Sequence, residues 1–244
     1  MPRRHDIDRI LQSWPYRAGE VLARQVKAAD GRPVLQMRVD MGLLQLEIAG
    51  RPDGQRPDGA ETYLDYLIAQ SVHEGSEFEL SPEQCGEADR EFFQFYHRRI
   101  CWLALRKFRE AARDADHSLA LMDFVRSRSK NEEWILAHEQ YRPFVMFHRV
   151  QAGALAELEE RGPEAAIEEI NQGLNRFREL FEEYEASEQF ESDELVARLV
   201  ELKESMRSHY QVGRTLNEQL ADAVAAEQYE LAAQLRDQLA QRGK

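Results

Sequence analysis

The chain uses one hydrophobic period near its start and another for almost all the rest. Ile7, Ile10, Leu11 and Trp14 share a helical face, and Pro15 ends that turn. From Gly19 to Ala49 the period is two. Val21, Leu22 and Val26 lie before Asp30-Gly31, a hairpin signal. After it, Leu35, Met37, Val39 and Met41 alternate with Gln36, Arg38 and Asp40; beyond Gly42, Leu44, Leu46 and Ile48 alternate with Gln45 and Glu47. This pattern predicts a three-stranded antiparallel meander with one buried face. A helix from Glu61 to about Val72, with Tyr63, Leu64, Leu67 and Ile68 inward, is the expected lid for that face. Gly75 to Gly86 predicts a loop with a short turn at Ser81-Pro82.

From Ala88 onward the spacing is helical. Phe92, Phe93, Phe95, Tyr96, Ile100, Leu103 and Leu105 mark one helix; Phe108, Ala111, Ala112, Ala115, Leu119 and Met122 mark the next. Glu132 to Glu160 follows, with Pro143 predicting a kink or a late start near Arg142. Gly162-Pro163 opens a helix to about Tyr184, which carries Phe177, Leu180 and Phe181. Ser192-Asp193 suits a cap. Leu195, Leu199, Leu202 and Met206 then predict one long helix feeding directly into the tail, with near-heptad spacing suited to pairing with a second copy.

In the tail, Leu216, Leu220, Ala223, Val224 and Glu227 form one stripe. The phase breaks at Gln228. Tyr229, Ala232, Ala233, Arg236 and Ala240 form a second stripe, with Leu235 and Leu239 beside it. Two short stripes predict a helical hairpin in which Ala232 and Ala233 allow close approach and Tyr229 wedges the turn. The run Leu-x3-Leu-x2-Ala-Val-x2-Glu-x-Tyr-Glu-x-Ala-Ala-x-Leu-Arg-Asp resembles the UVR motif of bacterial excinuclease subunits B and C, of Clp-type ATPases and of activators of a protein-arginine kinase. Amphipathicity alone does not ask for Tyr229, Arg236 and Asp237 at those places. The resemblance implies a protein-docking module without chemistry of its own. The expected contact residues are Leu216, Leu220, Val224, Tyr229, Ala233 and Leu235 for apolar contact, with Glu227, Arg236 and Asp237 setting register through charge pairs.

A second resemblance lies in the middle. Leu-Arg-Lys-Phe-Arg-Glu-Ala-Ala-Arg-Asp-Ala (105–115) is similar to the turn between paired helices of a tetratricopeptide repeat, with a weaker echo at Gly162-Pro-Glu-Ala-Ala-Ile167. The echoes lie further apart than the roughly 34-residue period of a regular array. The expected architecture is α+β and mostly α. It comprises a sheet with its covering helix over 1–75, a degenerate tetratricopeptide-like core over 88–186, a connecting helix over 192–213 and the hairpin over 214–242.

Charge changes the picture in one place. The formal net charge is −13, and residues 157–194 hold 14 acids against 3 arginines, a net of −11. That balance argues against direct nucleic-acid binding. It also supplies the expected counter-charge for Arg98, Arg99, Arg106, Lys107, Arg109 and Arg113 on the first helical pair. Cys85 and Cys101 have no metal-knuckle spacing, the N-terminus lacks an apolar run, and no stretch approaches the roughly 20 apolar residues of a membrane helix. A soluble cytoplasmic protein is expected.

Candidate chemistry is thin. Arg51-Pro-Asp-Gly54 repeats as Arg56-Pro-Asp-Gly59; the turn reading competes with Asp53 and Asp58 as ligands, or Arg51 and Arg56 as anion contacts. His138-Glu139 begins a zinc-type motif, but Arg142 occupies the second ligand position, leaving only His148 ten residues on. His73, His97 and His117 have no ligand spacing. Neither a phosphate-binding Gly-x-x-x-x-Gly-Lys loop nor paired Cys-x-x-Cys sites occur. The expectation is a non-enzymatic adaptor with no metal and no cofactor. Its partners would be a protein held by the hairpin or a second copy of the chain. An accessory role in excinuclease repair or Clp-type quality control, and an enzyme centred on the Arg-Pro-Asp-Gly turns, are the competing readings.

Overall fold

The computed structural model describes residues 6–242, which form an α+β, mostly α chain. Packing divides it into two compact units, the boundary falling between Arg149 and Val150. That boundary lies inside the 88–186 region expected to form one helical core.

In the first unit, β1 (Leu22–Lys27), β2 (Pro33–Val39) and β3 (Gly42–Glu47) form an antiparallel meander in the order β1-β2-β3. Leu35 pairs with both Gln25 and Leu46. The Ala28 amide donates to the Arg32 carbonyl across the Asp30-Gly31 turn, where Gly31 takes φ +88°. Val39 pairs with Gly42, so Asp40 and Met41 become the turn between β2 and β3. Met41, expected to continue the apolar alternation, is therefore 93% exposed.

Two expectations about the sheet are corrected. Both faces of β2 are covered, since the neighbouring Val34 and Leu35 are each fully buried. The polar face meets the segment after α1 (Asp8–Ser13). There the Arg24 guanidinium lies 4.2 Å from the Trp14 ring centre, and Arg38 Nε donates to the Trp14 carbonyl at 2.9 Å. Arg24 also donates to Gln36 Oε1 (2.7 Å), so these buried polar groups are satisfied. The apolar lid is likewise not the helix after the sheet. α2 (Tyr63–Glu74) packs on α3 (Pro82–Ala104) and on the short turns flanking it, and α3 is the helix that packs on β1 and β2.

α3 starts at Pro82, within the expected loop, because Ser81 and Gln84 form a reciprocal capping box. α4 (Phe108–Arg128) returns antiparallel to α3 after a turn in which Arg106 takes φ +56°. Phe108 and Ala111 are buried just beyond that turn. α5 (Glu132–Glu139) and α6 (Arg142–Glu160) are separate helices, the break falling just before Pro143 as expected.

The second unit contains α6 from Val150 onward, α7 (Pro163–Glu183), α8 (Glu194–Tyr210), α9 (Leu216–Ala225) and α10 (Tyr229–Arg242). α7 buries Ile167, Ile170, Leu174 and Phe177. Asp193 caps α8 by accepting from the Leu195 and Val196 amides, both at 2.9 Å. Val196, Leu199 and Met206 are buried on α8, whose main helical partner is α7. The stripe expected to pair with a second copy is thus largely used inside the unit. Nor does α8 run on into the tail: Gln211 takes φ +54°, the Val212 amide bonds back to the Arg207 carbonyl, and a new helix starts after Thr215.

Candidate functional site

The tail is a helical hairpin, and its local chemistry is complete. Thr215 accepts from the Glu218 amide (3.3 Å), while the Glu218 carboxylate accepts from the Thr215 amide (2.8 Å). α9 ends at Ala226, Glu227 takes φ +57°, and the Gln228 amide bonds back to the Ala223 carbonyl (2.8 Å). This is the turn that the break at Gln228 announces. At its base, Arg207 donates to Glu218 (2.7 Å) and to the Gly213 carbonyl (2.6 Å), and Thr215 Oγ1 donates to Glu168 (3.3 Å).

The seam between α9 and α10 consists of Ala223, Ala232 and Leu235, with Leu216 and Leu220 packed against them and Leu239 half-buried. Ala232, Leu235 and Leu239 follow i, i+3, i+7, so the buried phase of α10 runs through the leucines. Tyr229, Ala233, Arg236 and Ala240 form the outer face. Tyr229 does not wedge the turn; it is 69% exposed at the start of α10. Ala233 faces solvent, leaving Ala232 to make the close approach.

The nine expected contact residues therefore fall into two groups. Leu216, Leu220 and Leu235 hold the hairpin together. Val224 (53% exposed), Glu227, Tyr229, Ala233, Arg236 and Asp237 point outward, with Arg236 paired to Asp237 at 2.9 Å. Leu231, 43% exposed, also faces solvent, on the opposite flank of α10 from Tyr229. The residues that amphipathicity does not explain are the ones left accessible.

Burial raises the carboxyl pKa of Glu218, but hydrogen bonds from the Thr215 amide and from Arg207 outweigh it and hold the group below the usual glutamate value. A depressed carboxylate pKa stabilises the fold above the unfolded pKa of about 4.3. That contribution disappears as pH falls through the lower folded value. Amide protection at Thr215 and Glu218 is expected to fall through this acidic window. Glu218→Gln should show weaker protection with no such step.

The first unit holds a different cluster, around the first Arg-Pro-Asp-Gly turn. Arg51 is buried and reaches Glu87 (2.8 Å), Asp53 (3.4 Å) and Glu91 (3.6 Å). Glu91, with no exposed surface, accepts from the Tyr63 amide (2.6 Å), the Leu64 amide (2.9 Å) and His117 Nε2 (3.0 Å). It sits on the unpaired amides at the start of α2, where a negative charge is stabilised. Arg98 grips both oxygens of Asp114 at 2.8 Å and donates to the carbonyls of Glu47 and Gly50. Arg99 donates to Ser118. For Arg98 and Arg99 the expected pairing with the acidic 157–194 segment is thus replaced by partners on α4 and the sheet. Asp53 accepts from Gln94 (2.9 Å), and Asp58 and Arg56 are exposed. An open cleft of about 500 Å³ is lined by Arg51, Asp53, Arg56, Tyr63, Glu87 and Arg90. Burial pushes the Tyr63 hydroxyl up to about 12.

The partial zinc motif is dispersed among other partners. His138 contacts the Trp134 carbonyl (2.9 Å) and Asp89 (2.8 Å), while Glu139 receives two hydrogen bonds from Arg142. Among the described residues, no group of three or more His, Cys, Asp or Glu side chains is placed to hold a metal ion. Burial raises both thiol pKa values, Cys101 to about 12. No described helix is long and apolar enough to cross a membrane.

Fold and site together define a mostly helical α+β chain that ends in a capped hairpin with an accessible outer face. Comparison with protein families adds the particular identity of that hairpin: residues 214–241 match the UvrB/uvrC motif. No curated protein and no solved structure matches the chain.

Proposed function

We propose that the chain is a non-enzymatic adaptor, at work in the cytoplasm, that captures a protein partner with the outer face of its C-terminal hairpin. One observation carries this reading. Leu216, Leu220 and Leu235 are spent on the hairpin's own seam, while the motif-specific Tyr229 and Arg236 stand exposed with Ala233 on the outer face of α10. Exposed aromatic and arginine residues suit a contact whose energy is concentrated in a few side chains. The motif's name ties it to excinuclease subunits, so an excinuclease or a Clp-type machine is the first partner class to offer. The non-enzymatic part is supported by the cleft at the Arg-Pro-Asp-Gly turns, where the buried Arg51 is committed to neighbouring carboxylates.

The test separates the two groups of residues. Val224→Asp with Tyr229→Ala is expected to abolish capture of excinuclease or Clp-type subunits while circular dichroism stays unchanged. Leu220→Ala with Leu235→Ala is expected to abolish it with a loss of helix signal. If the outer-face pair captures as much partner as the parent chain, the hairpin is a packing element and the reading fails.

A further inference from the structure

The first unit also contains an aromatic cavity of about 440 Å³, between α3 and the start of α6. Phe92, Phe93 and Tyr96 line it from α3; Tyr141, Phe144 and Val145 line it from the other side. That volume is in the range of small-molecule sites, roughly 300–1,000 Å³. The one charged residue in its lining is Arg99, 1% exposed.

Arg99 is short of partners. Nη1 donates to Ser118 Oγ (3.0 Å), and Nε, fully buried, donates to nothing. The neighbouring acid, Asp114, is held by Arg98 through both oxygens at 2.8 Å and reaches Arg99 only through its charge. Two guanidinium groups thus share one carboxylate, leaving an excess positive charge in a low-dielectric setting. Burial lowers the Arg99 pKa to about 10, with the charge of Asp114 opposing the shift. Burial, with the Arg99 charge adding to it, pushes His148 down to about 4. His148 is therefore neutral at pH 7; its ring lies 4.2 Å from that of Phe144, and its buried Nδ1 has no partner. A buried unpaired charge is among the most costly features a fold can carry, and a bound counter-charge removes the cost.

We infer that this cavity binds a monocarboxylate with an aromatic or similarly apolar body, its carboxylate meeting the Nε edge of Arg99 and its body lying between Phe93, Tyr96, Tyr141 and Phe144. The planar guanidinium fork matches a carboxylate through Nε and the adjacent terminal nitrogen, the edge not used by Ser118. The apolar walls oppose a more highly charged group such as a phosphate, which needs more donors than one fork supplies. The same chemistry occurs in a free aromatic acid and in the C-terminal carboxylate of a peptide ending in phenylalanine.

Calorimetric titration of the full chain distinguishes these sources. The probes are phenylacetate, phenylacetamide, and N-acetyl-glycyl-phenylalanine with either a free or an amidated C-terminus. At least one free acid is expected to bind with Kd below about 1 mM and about tenfold more tightly than its amide. The acid that binds identifies the source. Arg99→Met is expected to erase the acid-over-amide preference. Phe93→Ala, on a wall residue that is mostly exposed, should weaken acid and amide alike and keeps the test decisive should Arg99→Met not fold. Equal binding of acid and amide, unchanged acid binding in folded Arg99→Met, or no binding of any probe by the folded chain at millimolar concentration overturns the inference.

Discussion

Glu91→Ala is expected to cost the chain about 3–5 kcal/mol of stability, read as a lower midpoint in urea. The carboxylate has no exposed surface, accepts from three donors (the Tyr63 and Leu64 amides and His117 Nε2) and lies 3.6 Å from the Arg51 guanidinium as an ion pair. Removing it leaves two helix-start amides without an acceptor and takes away one of the acids around Arg51. Each orphaned buried donor costs about 1–3 kcal/mol, with more for a charged one. Glu91→Gln keeps the shape and one acceptor oxygen, but turns an amide group toward donors. It should fall between parent and alanine. Because the Tyr63 and Leu64 amides are the first two of α2, the loss should appear as faster amide exchange in that helix. A Glu91→Ala chain within about 0.5 kcal/mol of the parent, the range of an ordinary surface substitution, contradicts this account.

The same residue shows why the first unit was only partly legible. Hydrophobic periodicity reports which faces are buried; it is silent about buried charges, which depend on distant partners. Glu91 precedes two phenylalanines and carries no pattern of its own, and its donors come from Arg51, the start of α2 and His117. Bulk charge points Arg98 to the acidic 157–194 segment, which holds the largest excess of opposite charge. The partner it has is Asp114, facing it across the α3–α4 turn. Local electrostatics within a helical pair wins over bulk charge elsewhere, since Coulomb attraction falls with distance and is screened over about 10 Å at ordinary salt.

Other elements were legible to the residue. Asp30-Gly31 placed the first turn, Pro143 the α5–α6 break, Asp193 the α8 cap, and Gln228 the hairpin turn. The start of α3 was also readable, as Ser81-x-x-Gln84, but Gly86 made the segment look like a loop; the capping box outweighs a helix glycine that costs about 1 kcal/mol. The covering of the second sheet face was not readable. It rests on Arg38 reaching the Trp14 carbonyl, and backbone acceptors leave no trace in a sequence. In the hairpin, the motif at 214–241 is legible from its residues, while the stripe count puts α10 one position out of phase. A stripe that counts alanines and a tyrosine equally with leucines misses the inward face, because leucines bury more apolar area than alanines and decide which face turns inward.

Gly173→Ala is expected to destabilise the second unit, although alanine is the better helix former by about 1 kcal/mol. Gly173 lies within α7, and a Cβ built there meets both Val150 methyl carbons at 2.4 Å and the Val150 Cβ at 3.0 Å. Valine is branched at Cβ and held near one rotamer in a helix, so it cannot swing clear as a long side chain would. Overpacking of this kind costs about 1–3 kcal/mol, enough to offset the propensity gain and reverse its sign. The explanation is checked by a double-mutant cycle. Val150→Ala alone should lose about 2 kcal/mol through the missing methyls. Combined with Gly173→Ala it should lose less than the sum of the two, with a coupling of about 0.5–3 kcal/mol, because the new methyl enters the space the valine vacates. Additive losses would mean that Gly173→Ala acts through something other than Val150. A Gly173→Ala chain more stable than the parent would mean that α6 and α7 do not approach this closely in solution. In either case Gly173 would owe its presence to a cause other than the crossing of these two helices.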